Sequence, residues 1–432
     1  MAGAADHRAT PPADGAEEPS RPGLLRGLGP GLVTGAADDD PSGIATYSQI
    51  GAQFGYGLAW TMLFSFPLMV VIQEISARIG CVTGRGIASN LRRHYPRGVL
   101  RLIVLLLVVA NVINLGADLG AMGAALGLVL GGPETLYTLL FGVFCILLET
   151  FLPYARYAAV LKWLTLSLFA YVGVVLVAGV DWRAGLAGTL IPAMIFDREH
   201  AMALVAVLGT TISPYLFFWQ AGQEVEELQR RHGKALCIAP RDAEQELRRI
   251  RIDTLTGMGI SNLIAIFIIV ATAATLNASG ITDIQTSAQA AEALRPIAGQ
   301  LAFALFALGI VATGLLAVPV LAGSAAYGVS EMMGWREGLD RRPLEARGFY
   351  GVIALATLAG AVMTLAPIDP VRALYWAAVV NGILAAPMMV AMMLIAGNRR
   401  AMGRFTLSPA LRGLGWLATV VMALASLAFF IV

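Results

Sequence analysis

The sequence predicts an all-α protein that crosses a membrane about eleven times, with its first and sixth helices broken at the bilayer midplane. Three observations carry that prediction. Of 432 residues, 57% are apolar and only 13% are charged. With glycine counted and tyrosine left out, the apolar share is about 65%, against roughly 45–50% in soluble domains, and the charged share is about half the usual ~25%. A soluble body of this size has neither the interior to hide that surface nor the charge to cover it. Apolar runs of about 20 residues, the length that spans a bilayer, recur along the chain, and Lys and Arg gather in alternate loops between them. A soluble enzyme, a nucleic-acid binder and a disordered scaffold are thereby excluded.

The elements follow in order. Residues 1–26 open with MAGAADHRATPPADGAEEPS. They are small, polar and proline-containing, which predicts a short disordered cytoplasmic tail and no signal peptide. Residues 27–432 are expected to form one transmembrane domain. Its spans fall near 30–53, 57–80, 100–130, 135–153, 157–180, 200–226, 250–277, 296–333, 347–367, 371–397 and 413–432. With the N-terminus placed in the cytoplasm, 22 of the 30 Lys and Arg residues fall in cytoplasmic loops. Only Arg183, Arg198, Arg295 and Arg372 fall on the other side. One missed span would scramble that alternation, so the chain is expected in the cell membrane, N-terminus inside and C-terminus outside.

Most spans are near-featureless Leu, Val and Ala. The first and sixth are not. The first carries Asp38, Asp39, Asp40, Pro41, Ser42 and Gly43 in its middle, and the sixth carries Gly209, Thr210, Thr211, Ser213 and Pro214. Proline lacks an amide hydrogen and clashes with the preceding turn, while glycine permits unwinding, so both helices should break there. Pro41 and Pro214 each lie about 14 residues into a span starting near 27 or 200. Repeat one then covers about 27–181 and repeat two about 200–397, with an extra helix at about 413–432. Five spans is an odd number, so the second half inserts upside down. Paired interrupted helices in inverted repeats mark the midplane binding site of a transporter. Two prolines that merely kink their helices are the plainer reading, but three carboxylates beside a structural kink would be costly.

Asp40 stands directly before the break, where free carbonyls and its own oxygens can surround a hard cation. Asp38 and Asp39 point to other faces and read as hydrated or hydrogen-bonded groups of a vestibule. Asn111, Asn114 and Asp118 share one face of the third span. Asp118 reads as a proton carrier, an anchor behind the site or an ion ligand, and a satisfied structural network is the bland alternative. Gln220, Glu224 and Glu227 continue the face of Ser213 and fit either a wet path to the cytoplasm or a solvated helix end. Asn381 in the tenth span is a candidate lining residue. Glu74 and Glu149, near inner helix ends, read as salt-bridge partners. Cys81, Cys145 and Cys237 show no metal-ligand spacing, and none of the four histidines lies deep in a span.

At GPGLVTGAADDDPSG, FGYGLAW, ISARIGCVTGRG and ADLG the sequence resembles the NRAMP divalent-metal transporters, over roughly residues 27–432. The resemblance implies the LeuT-like five-plus-five inverted-repeat fold with additional C-terminal helices. It places the family's metal-binding aspartate on Asp40 and its proline on Pro41. The family's asparagine falls on Gly43 and a carbonyl donor on Ala37. In the sixth helix the small residue falls on Thr210, the methionine on Ser213 and the histidine on Tyr215. The aspartate linked to proton movement falls on Asp118, and a glutamate expected three residues later is Ala121. The central carboxylate is kept while the asparagine, the thioether and the histidine are absent, which looks more like the NRAMP-related magnesium branch.

The expected function is therefore a secondary transporter that moves a divalent cation, Mg2+ and/or Mn2+, inward. The expected metal-site residues are Asp40, Ala37, Gly43, Thr210 and Ser213. Behind them stand Asp118, Asn114 and Asn111, with Glu224, Gln220 and Asn381 along the pathway. Two rivals stand beside it: a proton-coupled Mn2+/Fe2+ importer with Asp118 as carrier, and a sodium-coupled transporter of a small organic solute, whose carboxylate Asp40 would repel. The partners expected are the metal ion and the lipid bilayer, with no nucleic acid and no cofactor. The sequence carries no signal of oligomeric state and no motif of an enzyme.

Overall fold

The computed structural model describes residues 29–152, 165–192, 195, 197–231, 233–366 and 369–431. The expected tail 1–26, the start of the fifth span, Arg156 and Lys162 lie outside the described residues. Among the described residues there is no strand. The helices are α1 (Pro30–Asp38), α2 (Pro41–Phe54), α3 (Trp60–Thr83), α4 (Ile87–His94), α5 (Arg97–Leu130), α6 (Glu134–Phe151), α7 (Phe169–Val177), α8 (Trp182–Leu190) and α9 (Arg198–Thr211). They continue with α10 (Pro214–Arg230), α11 (Ala243–Thr275), α12 (Ser287–Glu292), α13 (Arg295–Ala298), α14 (Ala302–Met333), α15 (Arg347–Met363), α16 (Pro370–Gly397), α17 (Arg399–Met402) and α18 (Pro409–Ile431).

Eight helical segments are long and apolar enough to cross a membrane, and Leu166–Val177 and Arg347–Met363 are shorter apolar helices. With the broken pair α1–α2, they fall on the eleven expected segments. Outward-facing Leu105, Leu140, Leu176, Leu355 and Leu424 are exposed, as a lipid-facing rim requires. α5 and α14 pack along each other at the centre, and α9 lies on α16.

The contact that matters most for the site is α1 against α11. A methyl group at Gly35 would come within 2.3 Å of the Gly257 carbonyl, and one at Gly257 would come equally close to the Gly31 carbonyl. Only glycine lets the two backbones touch in this way, as small residues do between membrane helices. Asp253 of α11 then caps the start of α1 by accepting from the amides of Gly31 (2.7 Å), Gly29 (3.0 Å) and Leu32 (3.3 Å). A carboxylate at a helix N-terminus satisfies orphan donors and complements the helix dipole.

The two broken helices are not of equal arms, contrary to the equal depth read from the sequence. Pro41 lies 11 residues after the start of α1, whereas Pro214 lies 16 after the start of α9. The difference arises because α1 begins three residues later than expected, at Pro30, and α9 two residues earlier, at a side-chain cap by Asp197.

Candidate functional site

Both breaks have the same local build. α1 ends at Asp39 (φ −83°, ψ 46°) and α9 at Ile212 (φ −120°, ψ 57°). Asp40 (ψ 170°) and Ser213 (ψ 128°) are extended, and Pro41 and Pro214 open the next helices. A residue before proline is forced out of the helical region, and proline at the first helical position loses only an amide that had no partner. The two prolines thus set each break two residues wide.

Asp40 is buried and caps α2. Its carboxylate accepts from the Ser42 hydroxyl (2.6 Å) and the Gly43 amide (2.7 Å). From the other broken helix, the Tyr215 hydroxyl lies 3.2 Å from Asp40 Oδ2 and 3.0 Å from the Ala37 carbonyl oxygen. Tyr215 therefore ties the end of α1, the start of α2 and the start of α10 into one knot. Ser261 of α11 donates to Asp38 (2.7 Å) and lies 3.0 Å from Asp39. The two neighbours of Asp40 are thus buried and hydrogen-bonded.

Gly43 belongs to the same knot. A methyl group there would stand 3.2 Å from the Asp38 carbonyl, 3.3 Å from Thr210 Oγ1 and 3.4 Å from the Tyr47 ring. A larger cavity from the missing side chain, the natural expectation for glycine at this place, is not what the packing gives: Thr210 and Tyr47 fill the room. The Ser213 hydroxyl lies 2.9 Å from the Gly209 and Thr210 carbonyls, closing the end of α9. Among the described residues it makes no hydrogen bond to the first break.

Asp118 is fully buried on α5, near enough to Asp40 for the two carboxyls to interact. Its companions on that face are engaged elsewhere. Asn114 and Asn381 exchange reciprocal amide bonds of 2.8 and 3.0 Å between α5 and α16, and Asn111 donates to the Leu321 carbonyl (2.8 Å). The pathway candidates are likewise occupied. Gln220 donates to Thr254 (3.1 Å), Glu224 pairs with Arg249 (2.5 Å), and Glu227 pairs with Arg230 and Arg231. The stripe that fitted a wet path is, in this conformation, a closed polar seam against α11. Glu74 pairs with Arg78 and Arg251 as read from the sequence. Glu149 does not follow that reading among the described residues, where neither of its buried carboxylate oxygens has a hydrogen-bond partner.

On the opposite side a cavity of about 700 Å³ opens between α2, α9 and α16, lined among others by Gln49, Gln53, Glu199, Asp283 and Arg372. Its floor includes Ala45, one turn beyond Pro41. Asp40, Ala37, Thr210 and Tyr215 are not among its lining residues.

Four carboxyls, Asp38, Asp39, Asp40 and Asp118, are buried together, and no Lys or Arg among the described residues forms an ion pair with any of them. Like charges at low dielectric repel strongly without a counter-charge, so the cluster has to hold protons or be met by a cation. Among the described residues no three His, Cys, Asp or Glu side chains converge as metal ligands. A metal at the break would need carbonyl and hydroxyl oxygens beside Asp40.

A family model described as Nramp, natural resistance-associated macrophage protein-like, matches residues 31–432. The chain belongs to the Nramp family. Among relatives of this Nramp chain, the divalent metal cation transporter MntH of Burkholderia ambifaria is 26% identical over 437 residues, covering 96% of this chain and 92% of the relative. The MntH of Klebsiella pneumoniae is 28% identical, covering 90% of each. These relatives are named as transporters, not enzymes. Among solved structures, the Eremococcus coleocola manganese transporter aligns with a TM-score of 0.75 at 16% identity, over 94% of this chain and 86% of that one. Mhp1, a nucleobase-cation-symport-1 family transporter in a closed conformation, aligns with a TM-score of 0.58 at 14% identity, over 94% and 91%. Both likenesses concern the fold, and the expected five-plus-five transporter architecture is the observed one.

Sequence reasoning missed two participants and named a third, Tyr215, only as the place of the family's histidine. Ser261, one of several hydroxyls in the seventh span, and Asp253, an acid near its inner end, carry only the weak signal of polarity in an apolar helix. Tyr215 had a stronger one, since it follows Pro214 in the first turn after the break, but its hydroxyl stands too far from its Cα for spacing to aim it.

Proposed function

We propose that this Nramp protein is a secondary transporter that carries a divalent metal cation, Mg2+ and/or Mn2+, into the cytoplasm by alternating access. The observation that carries the reading is the uncompensated carboxyl cluster at a doubly broken helix core. Asp40 and Ala37 supply the central ligands, with Gly43 and Thr210 beside them and Ser213 at the second break. The names of the MntH relatives and of the manganese transporter agree with a divalent ion. The loop charges favour a cell-membrane protein with its N-terminus in the cytoplasm. On that topology the sealed α1–α11 seam is cytoplasmic and the 700 Å³ cavity is external. The expected domain division, with a tail at 1–26 and repeats at about 27–181 and 200–397, belongs to the same reading.

One observation favours a second reading, a proton-coupled Mn2+/Fe2+ importer: Asp118 lies beside Asp40 with both carboxylate oxygens buried. The sodium-coupled solute reading has only the fold in its favour. Uptake of Mg2+, Mn2+ and a labelled amino-acid mixture into proteoliposomes, measured side by side with a trapped pH dye, separates all three. Metal uptake without comparable acidification supports the first, metal-dependent acidification the second, and amino-acid uptake alone the third.

A further inference from the structure

We infer that the Tyr215 hydroxyl oxygen is a direct ligand of the transported cation, completing a three-oxygen face with Ala37 and Asp40 and helping to set which ion is accepted. The inference rests on the reading that the chain carries a divalent cation.

The geometry points to it in three ways. The hydroxyl oxygen lies 3.0 Å from the Ala37 carbonyl and 3.2 Å from Asp40 Oδ2. Oxygens held octahedrally around Mg2+ at 2.0–2.1 Å are about 2.9–3.0 Å apart on adjacent vertices, and a slightly larger ion widens that edge. The Tyr215 oxygen thus already stands at the separation of a neighbouring ligand from both. Secondly, a phenol has one proton and two lone pairs. It cannot satisfy a carbonyl and a carboxylate fully at once, so one of these oxygens is left short until a cation arrives. Thirdly, the ring is 1% exposed and lies within electrostatic reach of Asp38 and Asp118 as well as Asp40. When the ion enters, the proton turns toward those carboxyls and the lone pairs face the metal. The phenol stays neutral and no bond to hydrogen is broken.

A hard oxygen at this vertex gives no advantage to a soft ion. It therefore tolerates Mg2+ where a nitrogen or sulfur donor would select transition metals. If Tyr215 were only a brace between the broken helices, its donor chemistry would not matter to the choice of ion.

The test uses full-length protein in proteoliposomes, with Mg2+, Mn2+ and Cd2+ uptake measured separately for wild type, Tyr215→Phe and Tyr215→His. Removing the oxygen should raise KM for Mg2+ and Mn2+ about tenfold, the scale of one lost polar contact, with little change in maximal rate. Imidazole suits transition metals, so Tyr215→His should shift the Mn2+/Mg2+ and Cd2+/Mg2+ preference upward about tenfold. Equal losses for every ion in both variants, accompanied by a lower melting temperature, overturn the inference in favour of a brace. Unchanged KM and selectivity overturn it too and leave the carrier reading standing. A wild type that moves none of the three ions overturns both. Selectivity is a ratio within one protein, so either variant that elutes as a monodisperse peak decides the matter.

Discussion

Replacing Asp40 by Asn should abolish transport while leaving the fold almost untouched, and the structure gives the size of each effect. Asparagine is as good a helix N-cap as aspartate. Its oxygen can keep the Ser42 (2.6 Å) and Gly43 (2.7 Å) bonds that start α2. What the fold loses is the acceptor facing Tyr215 at 3.2 Å, a neutral-scale cost of about 1 kcal/mol. The ion loses far more. Two unit charges 4 Å apart attract by about 4 kcal/mol at an effective dielectric of 20, so a dication gains about twice that from one carboxylate. If half is offset by desolvating the carboxylate, about 4 kcal/mol remains, roughly a thousandfold in affinity. The assay is Mg2+ and Mn2+ uptake by a mutant that elutes as one peak and melts within a few degrees of wild type. Asp40→Ala, which also removes the cap, should cost about 1 kcal/mol more in stability. Uptake by well-folded Asp40→Asn within threefold of wild type would refute the site.

Three further outcomes are expected. Ser213→Met should raise competition by Cd2+ and Mn2+ against Mg2+ uptake, because a thioether favours soft ions; an unchanged ion order would remove Ser213 from the site. Arg249→Gln strands Glu224, which is 1% exposed on its side chain, and should destabilise the detergent-solubilised protein by about 3–5 kcal/mol, with Glu224→Gln restoring much of the loss in the double variant; equal melting of all three would show that the pair is idle. Glu337, in the loop after α14, is raised from 4.5 to about 7, chiefly by burial and then by Glu226. Its contribution to stability is full below pH 4.5, declines as pH rises toward about 7 and is flat above, so melting curves of Glu337→Gln across pH 4.5–8 should lack that decline.

The spans and both breaks were legible in the sequence because membrane insertion writes them in residue type. A bilayer demands runs of apolar residues, so eleven segments stand out. Proline beside aspartate in such a run has few innocent explanations, and the structure places Asp40 at a helix start and Tyr215 against it. Partnership across the bundle was not legible. Asn381 looks like a pathway residue until Asn114, 267 positions away, is found returning its hydrogen bonds. Glu224 looks like part of a wet stripe until Arg249 closes on it. Helical spacing tells which side chains share a face, but not which element lies opposite. Gly43 misleads for a related reason: a missing side chain suggests a void, and only packing shows that Thr210 and Tyr47 occupy it.

If Ala37, Asp40 and Tyr215 hold the cation as proposed, the placement of their oxygens ties ion binding to motion without any added device. A ligand shifts a conformational equilibrium only by the difference in its affinity for the two states. Ala37 lies before the break at Asp39 and Asp40 after it, while Tyr215 belongs to the second broken helix. α1 is the arm held against α11 by glycine contact and by the Asp253 cap, and in the proposed alternating access these contacts close the cytoplasmic face. Opening that face requires α1 to leave α11, and α1 takes the Ala37 carbonyl with it. Asp40, anchored by Ser42 and Gly43 to α2, stays behind. An ion held by all three oxygens is thus bound most tightly while α1 is docked, and its hold weakens as α1 departs. On that reading the same movement that opens the path removes a ligand, so release would follow from the geometry of the broken helix and need no separate trigger.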